Sequence, residues 1–294
     1  MPPPPPPKDF DARSVVAIGD EFADQFHVGM VDRLDGNRRM QSFGVSIPGT
    51  GLTNPEAFDW VAEAPSRINR FERVAAVVVA LGYSDARTLI NGDQRHAFGS
   101  SQWRQFYRNR VTTLALTLLG EGNPVIFVGL PPMADPTRNE EVRLINQVLE
   151  EGVAPTLARF VSVYEGFADE QGNYVRAGPS LAGDVVNLRN RDGIFLNRAG
   201  RQKYAQFAER FIPLEGQEVL EPQVSSIIYE GSARSADGVG PVILLTSGFA
   251  DPTASLIDDV ERIVPEERET LDRLTRGTLI EAPPTRADFF RAPG

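Results

Sequence analysis

The chain has 294 residues, of which 41% are hydrophobic and 24% charged, and its formal net charge is −10. This composition is typical of a globular protein. The acidity argues against nucleic acid or anionic lipid as a partner, because both attract clustered Lys and Arg. The absence of cysteine excludes disulfides and a cysteine nucleophile. With only two histidines as well, neither a metal site nor a cofactor is predicted.

No apolar run reaches the length of about 18 residues that a membrane-spanning helix needs, so no span is predicted. The N-terminus is a proline run, in which Met1 is followed by six prolines and Lys8. Proline has no amide donor and favours an extended conformation, so residues 1–9 are predicted to be a spacer outside the fold. One expectation is an anchor or export signal further upstream, and a natural tail is the alternative.

Strand and helix patterns alternate over residues 10–213. Apolar segments at residues 14–19, 74–82 and 124–133 are typical of parallel strands covered on both faces. Residues 39–47 and 159–166 are predicted to be two further strands. Asn54 is predicted to cap a helix that starts at Pro55. Further helices are predicted over residues 102–122, 139–153 and 197–212. This alternation predicts a three-layer α/β domain with a five-stranded parallel sheet.

In parallel sheets of this kind, binding sites lie beyond the carboxyl ends of the strands. Four loops are predicted to converge there, namely those after Gly19, Ile47, Leu81 and Leu130. Within them, Asp20 and Asp85 are expected to accept hydrogen bonds from loop amides. Asp192 is expected to cap the turn before the last helix.

The sequence changes character after Pro213. Residues 224–231 and 240–248 have the pattern of short strands, and residues 255–274 are amphipathic in parts but interrupted by Pro265. No compact second core is evident in this region. Residues 214–294 are therefore predicted to form a C-terminal extension that wraps the main domain or docks a partner.

Four short blocks resemble those of a known superfamily. They are AIGDEFAD (17–24), GTGL (49–52), ALGYSDAR (80–87) and DGIFLNRAG (192–200). In this order on a five-strand α/β frame, they resemble the blocks of the SGNH/GDSL hydrolases. The wider chain resembles one bacterial branch of that superfamily, a domain family of unknown function. The resemblance implies a flavodoxin-like α/β sandwich.

The resemblance also implies a site. In the superfamily the first block supplies a serine nucleophile, the second a glycine and the third an asparagine of the oxyanion hole, and the last an Asp-x-x-His pair. Acyl transfer needs these parts because a base must take the hydroxyl proton and donors must stabilise the oxyanion. The matching positions in this chain are Glu21, Gly51, Ser84, Asp192 and Phe195. The nucleophile, the oxyanion amide and the base are thus all replaced.

The hypothesis that follows is a pseudoenzyme that binds or scaffolds a partner. Loss of one triad member typically lowers the rate on the order of 10⁴–10⁶-fold, and here two triad positions and the oxyanion asparagine are all changed. Asp20, Tyr83 and Asp85 are candidate binding residues in the inherited cleft. The resemblance and the proline run suggest a periplasmic or other extracytoplasmic location, with a glycan, an O-acylated polymer or an envelope protein as the partner.

Two other classes of function remain open. The first is an active ester or acyl hydrolase with an unorthodox constellation, such as the carboxylates of Glu21, Asp85 and Asp192. His27 and His96 are expected to have packing or surface roles instead of supplying its base. The second is a structural envelope-assembly protein that uses residues 214–294 to bind its partner.

Overall fold

The computed structural model describes residues 6–213, so the predicted extension and its elements lie outside the described residues. The helices are α1 (Glu21–Arg33), α2 (Trp60–Ile68), α3 (Ser101–Gly120), α4 (Pro136–Val153) and α5 (Arg198–Glu209). The strands are β1 (Arg13–Gly19), β2 (Met40–Ser46), β3 (Val74–Ala80), β4 (Leu89–Asn91), β5 (Gln94–His96), β6 (Val125–Val128), β7 (Arg159–Val161), β8 (Ala177–Pro179) and β9 (Val185–Asn187).

The central sheet contains five parallel strands in the order β2-β1-β3-β6-β7. Counted among the sheet strands alone, this is the 2-1-3-4-5 order of flavodoxin-like folds. β1 and β3 are buried along nearly their whole length, as expected for central strands covered on both faces. The predicted α/β class with a five-stranded parallel sheet is confirmed.

The helices form two groups, in which α1 packs against α5, and α3 packs against both α2 and α4. The first pair approaches so closely that a β-carbon at Gly29 would lie 2.1 Å from the carbonyl oxygen of Arg201. Glycine in α1 therefore allows this contact. The core between the layers contains large aromatic side chains that are fully buried, including Trp60, Trp103 and Tyr204.

The predicted start of the second helix is wrong. Residues 55–57 form a turn, and α2 begins at Trp60 after the cap Asp59, whose carboxylate accepts from the amide of Val61 at 3.0 Å. The fully buried Trp60 ring fixes this start, since its Nε1 donates to the Thr50 hydroxyl at 3.0 Å. The start of α2 is therefore set by the Asp59 cap and the buried Trp60 side chain, and not by Asn54 and Pro55.

The fourth helix begins earlier than predicted, at Pro136 after the cap Asp135. Asn139, predicted as its first residue, instead points into the core. Its Oδ1 accepts from the amide of Met133 and the hydroxyl of Tyr164, both at 2.9 Å. A buried amide of this kind ties the preceding loop to the helix, and the sequence pattern alone resembles a cap.

Two predicted strands are shorter in the structure. β6 ends at Val128, and the side chain of Asn146 then pairs with the backbone of Leu130 at 2.7 and 2.8 Å. β7 ends at Val161 and is followed by a 3₁₀ turn over Glu165–Phe167. The hairpins β4–β5 and β8–β9 were not predicted. Among residues 6–213, none of the helices has the length and apolarity to cross a membrane.

The described part of the N-terminal segment contacts the domain. Lys8 Nζ donates to the carbonyls of Leu34 and Asn37, both at 2.8 Å, and Asp9 forms an ion pair with Arg38 at 2.7 Å. Residues 1–5 of the predicted spacer lie outside the described residues. Whether residues 1–9 act as a spacer stays a prediction.

Candidate functional site: a carboxylate-filled cleft

Asp20 joins two of the loops at the carboxyl edge of the sheet. It caps α1 by accepting from the amide of Phe22 at 2.9 Å. Its second oxygen accepts from the amides of Gly82 and Tyr83 at 2.9 and 2.8 Å. The side chain is fully buried. Asp20 therefore holds the turn after β1 against the loop after β3.

Burial dominates the electrostatics of Asp20 and raises the pKa of its carboxyl to about 8. The hydrogen bonds from Phe22 and Gly82 oppose this pKa shift, whereas the nearby carboxylates of Glu21 and Asp85 add to it. Removal of a carboxylate from water favours its neutral form, and like charges nearby act in the same direction.

Glu21, at the position of the superfamily nucleophile, has both carboxylate oxygens engaged. One oxygen accepts from the amide of Gly49 at 3.0 Å, and the other accepts from the hydroxyl of Ser84 at 3.4 Å. The first donor belongs to the loop after β2 and the second to the loop after β3. Glu21 therefore draws two loops of the candidate site together by a negative charge.

Arg87 binds the same two residues as Glu21. Its Nη2 donates to the carbonyl of Gly49 at 3.0 Å, and its Nε donates to the carbonyl of Ser84. Gly49 and Ser84 are thus each bound twice, once by Glu21 and once by Arg87. This role of Arg87 was missed from the sequence, although the residue ends the third block.

Asp85 and Gly51 are in direct contact beneath this arrangement. The fully buried Asp85 accepts from the amide and hydroxyl of Thr53, both at 2.9 Å, and from the hydroxyl of Tyr107 at 2.8 Å. Burial raises the pKa of Asp85, and the hydrogen bonds from Thr53 and Tyr107 oppose that rise. A β-carbon at Gly51 would lie 2.1 Å from Asp85 Oδ1. Glycine is therefore required for this carboxylate to reach its donors.

Phe195, at the position of the superfamily histidine, belongs to an aromatic cluster. Its ring centroid lies 6.0 Å from that of Phe22 and 5.6 Å from that of Tyr83. Arg138 stacks over the ring of Tyr83 at 5.1 Å and donates to its carbonyl at 3.1 Å. Phe22 is fully buried, and Tyr83 and Phe195 remain partly exposed. Tyr83 and Phe195 therefore form a partly exposed aromatic rim at this edge of the sheet, with one cation beside it.

Asp192 is exposed and shapes the turn that carries Phe195. Its Oδ1 accepts from the amides of Ile194 and Phe195 at 2.8 and 2.9 Å. Beneath the turn, the buried Arg189 donates to the carbonyls of Ile194 and Pro132 at 2.9 and 2.6 Å. Burial lowers the pKa of Arg189 to about 10. The supporting role of this arginine was also missed from the sequence.

The candidate residues fall into three contact groups at the carboxyl edge of the sheet. Glu21 contacts Ser84, Gly51 lies against Asp85, and Tyr83, held by Asp20, contacts Phe195. Asp192 is linked to the third group through the backbone amide of Phe195, from which its Oδ1 accepts.

The carboxylates of the alternative hydrolase hypothesis have separate partners. Asp85 is buried and saturated by Thr53 and Tyr107, and Asp192 is exposed on another turn. In the described part of the chain, no cluster of three or more acidic, His or Cys side chains has the arrangement of a metal site.

Both histidines have packing contacts. His27 Nδ1 lies 3.0 Å from the Ser42 hydroxyl between α1 and β2. Burial lowers the pKa of His27. His96 stacks on Phe106 with ring centroids 4.8 Å apart. These contacts agree with the packing roles predicted for both residues.

The strand order and the position of the site at the carboxyl edge of the sheet define a flavodoxin-like α/β protein with a five-stranded parallel sheet. The chain belongs to the family described as protein of unknown function DUF459, which matches residues 14–210. This match confirms the predicted resemblance to a branch of unknown function. The chain matches no curated protein sequence.

Several solved structures are similar to this chain. A GDSL-like lipase from Bacteroides thetaiotaomicron is 15% identical over 66% of this chain and 85% of its own, with a TM-score of 0.46. An α/β hydrolase from the metagenome of Lake Arreo is 16% identical over 67% and 94%, with a TM-score of 0.48. A variant of the acetylxylan esterase Axe2 from Geobacillus stearothermophilus is 14% identical over 72% and 99%, with a TM-score of 0.46.

Proposed function

We propose that the chain is a catalytically degenerate SGNH-type domain that binds or scaffolds a partner. The observation that carries the proposal is the carboxylate of Glu21, which accepts from the amide of Gly49 and the hydroxyl of Ser84. An acyl-transfer oxyanion would need donors of this kind at this edge. A fixed negative charge beside them opposes a second one, so the arrangement disfavours acyl transfer.

Phe195 supports the same conclusion. A serine mechanism needs a base within hydrogen-bond reach of the nucleophile, and a phenyl ring carries no exchangeable proton. The ring packs on Phe22 and Tyr83 instead. His27 and His96 have the contacts described above, with Ser42 and Phe106, and neither contact belongs to the cleft.

The aromatic rim favours a partner with an apolar face. Partly exposed Tyr83 and Phe195, with Arg138 stacked beside them, resemble surfaces that bind flat or amphipathic groups. The proposal therefore includes an envelope glycan or an envelope protein as partner, and an extracytoplasmic location. The resemblance and the proline run support the location.

The test restores the superfamily residues in one variant, Glu21→Ser, Ser84→Asn and Phe195→His. We expect the wild-type chain to hydrolyse p-nitrophenyl acetate no faster than buffer, and the triple variant to exceed it by about tenfold or more, because a nucleophile, a base and an amide donor return together. The readout is release of p-nitrophenol. The matched control is the double variant without Phe195→His, which lacks the base.

Two results would contradict the proposal. Wild-type turnover that disappears in Glu21→Gln or Asp192→Asn would support a hydrolase with an unorthodox constellation. A triple variant that folds, by circular dichroism, yet has no activity would show that these positions do not form a single repairable site.

A further inference from the structure

A cavity lies between the β4–β5 hairpin and α3. It has a volume of about 130 Å³ and is partly open to solvent. The apolar part of its wall consists of Pro55, Leu89, Ile90 and Phe106. The polar part consists of Asn109, Arg110 and Thr113, all on α3. A cavity of about 150 Å³ holds benzene in an engineered protein. This one therefore has room for a group of about six non-hydrogen atoms.

Two buried nitrogen atoms at this place have no hydrogen-bond partner within residues 6–213, Arg110 Nε and His96 Nε2. Arg110 lines the cavity directly. His96 stacks on Phe106 and pairs in register with Leu89, and both of these residues line the cavity. Buried polar atoms without partners are uncommon in native proteins. Their concentration beside a cavity indicates a ligand that supplies the missing partners.

The charges around Arg110 restrict the class of ligand. Arg110 Nη2 already donates to Asp59 at 2.6 Å, and the two form an ion pair. The remaining Nε–H needs an acceptor oxygen, but the site does not need a second negative charge. The apolar part of the wall needs hydrocarbon against it. A carbonyl group with a short alkyl chain meets both requirements.

We propose that this cavity is an accessory binding site for a small uncharged acyl group, as an ester or an amide. Its carbonyl oxygen accepts from Arg110 Nε, and its alkyl part packs on Leu89 and Phe106. The site is separate from the aromatic cleft and does not depend on the function proposed for it. Its ligand would nevertheless influence the cleft, because the amide of Ile90 donates to the carbonyl of Thr53 at 3.0 Å, and Thr53 also donates to Asp85.

The test uses the full chain labelled with ¹⁵N and isobutyramide as the probe. We expect a saturable chemical-shift change of the Arg110 Nε–Hε resonance, which Arg110→Lys assigns by removing it while keeping the charge opposite Asp59. Thr113→Phe fills the cavity from an exposed helix position and should weaken binding at least tenfold. Leu116→Phe, another exposed position of α3, is the matched control and should leave binding unchanged.

Three results would overturn the proposal. The first is the absence of saturable binding to the wild-type chain up to the solubility limit of isobutyramide. The second is equal binding to the wild-type chain and to Thr113→Phe. The third is tighter binding of isobutyrate than of isobutyramide, which would make the cavity an anion site. Ester hydrolysis is not a readout here, so failure of this proposal and failure of the pseudoenzyme proposal are distinguishable.

Discussion

At the scale of single residues, Glu21 shows how one side chain links two loops at the carboxyl edge of the sheet. Its carboxylate binds Gly49 and Ser84, and Arg87 binds the carbonyls of the same two residues. Glu21 therefore binds hydrogen-bond donors, and Arg87 binds backbone acceptors, of the same two residues. Together, Glu21 and Arg87 therefore fix the relative position of the loops after β2 and β3.

Glu21→Ala should destabilise the folded chain by about 1 kcal/mol, because two hydrogen bonds to a charged acceptor are lost at a partly exposed site. Urea denaturation followed by circular dichroism measures this change. Asp24→Ala is the matched control, since Asp24 lies exposed in the same first turn of α1 and interacts with the same helix dipole. Equal losses in both variants would show that the contacts of Glu21 with the loops contribute nothing.

The sequence identified Glu21, Ser84 and Phe195 as candidate site residues, but it did not reveal their contacts. The binding of Gly49 by Glu21 and of Pro132 by Arg189 depends on side-chain contacts between segments that are distant in the chain. No periodicity or spacing encodes such contacts.

At the scale of elements, sequence patterns located the strands better than their ends. A continuous apolar run of valine and alanine identified β3, because both faces of this strand are covered. β6 ends early because the side-chain amide of Asn146 binds the backbone of Leu130. Asn139 does not cap α4, because its side chain accepts from the amide of Met133. The three-residue strands of the two hairpins are too short to produce a periodic signal.

The loop after β2 depends on the contact of Gly51 with Asp85. Gly51→Ala should destabilise the fold by about 1–3 kcal/mol, because the added methyl group overlaps a buried carboxylate that cannot move without losing its donors. Gly120→Ala is the control, since Gly120 has open space around it at the end of α3. Thermal unfolding of both variants tests this contact, and a neutral Gly51→Ala would contradict it.

At the scale of the whole molecule, the buried carboxylates make stability depend on pH. Burial raises the pKa of Asp20 from 3.8 to about 8 and raises the pKa of Asp85. Between about pH 4 and pH 8 the folded chain therefore retains a proton on Asp20 that the unfolded chain releases. The contribution of this group to stability is greatest below the unfolded pKa and is lost as the pH rises through the folded pKa.

The contribution of Asp20 to the free energy of unfolding should accordingly fall as the pH increases from about 5 to about 8. Urea titrations across this range measure the slope. Asp20→Asn should be less stable overall but should lose this part of the slope, whereas Asp192→Asn, at an exposed carboxylate, should retain it. Parallel slopes for the wild-type chain and Asp20→Asn would contradict the assignment.

Both ends of the described domain lie at the amino edge of the central sheet. Lys8 binds the carbonyls after α1, and Arg13, the first residue of β1, donates to the carbonyl of Pro213 at 3.1 Å. The aromatic rim lies at the opposite, carboxyl edge of the sheet. A label attached beside Lys8 would therefore lie at the edge of the described domain opposite the aromatic rim.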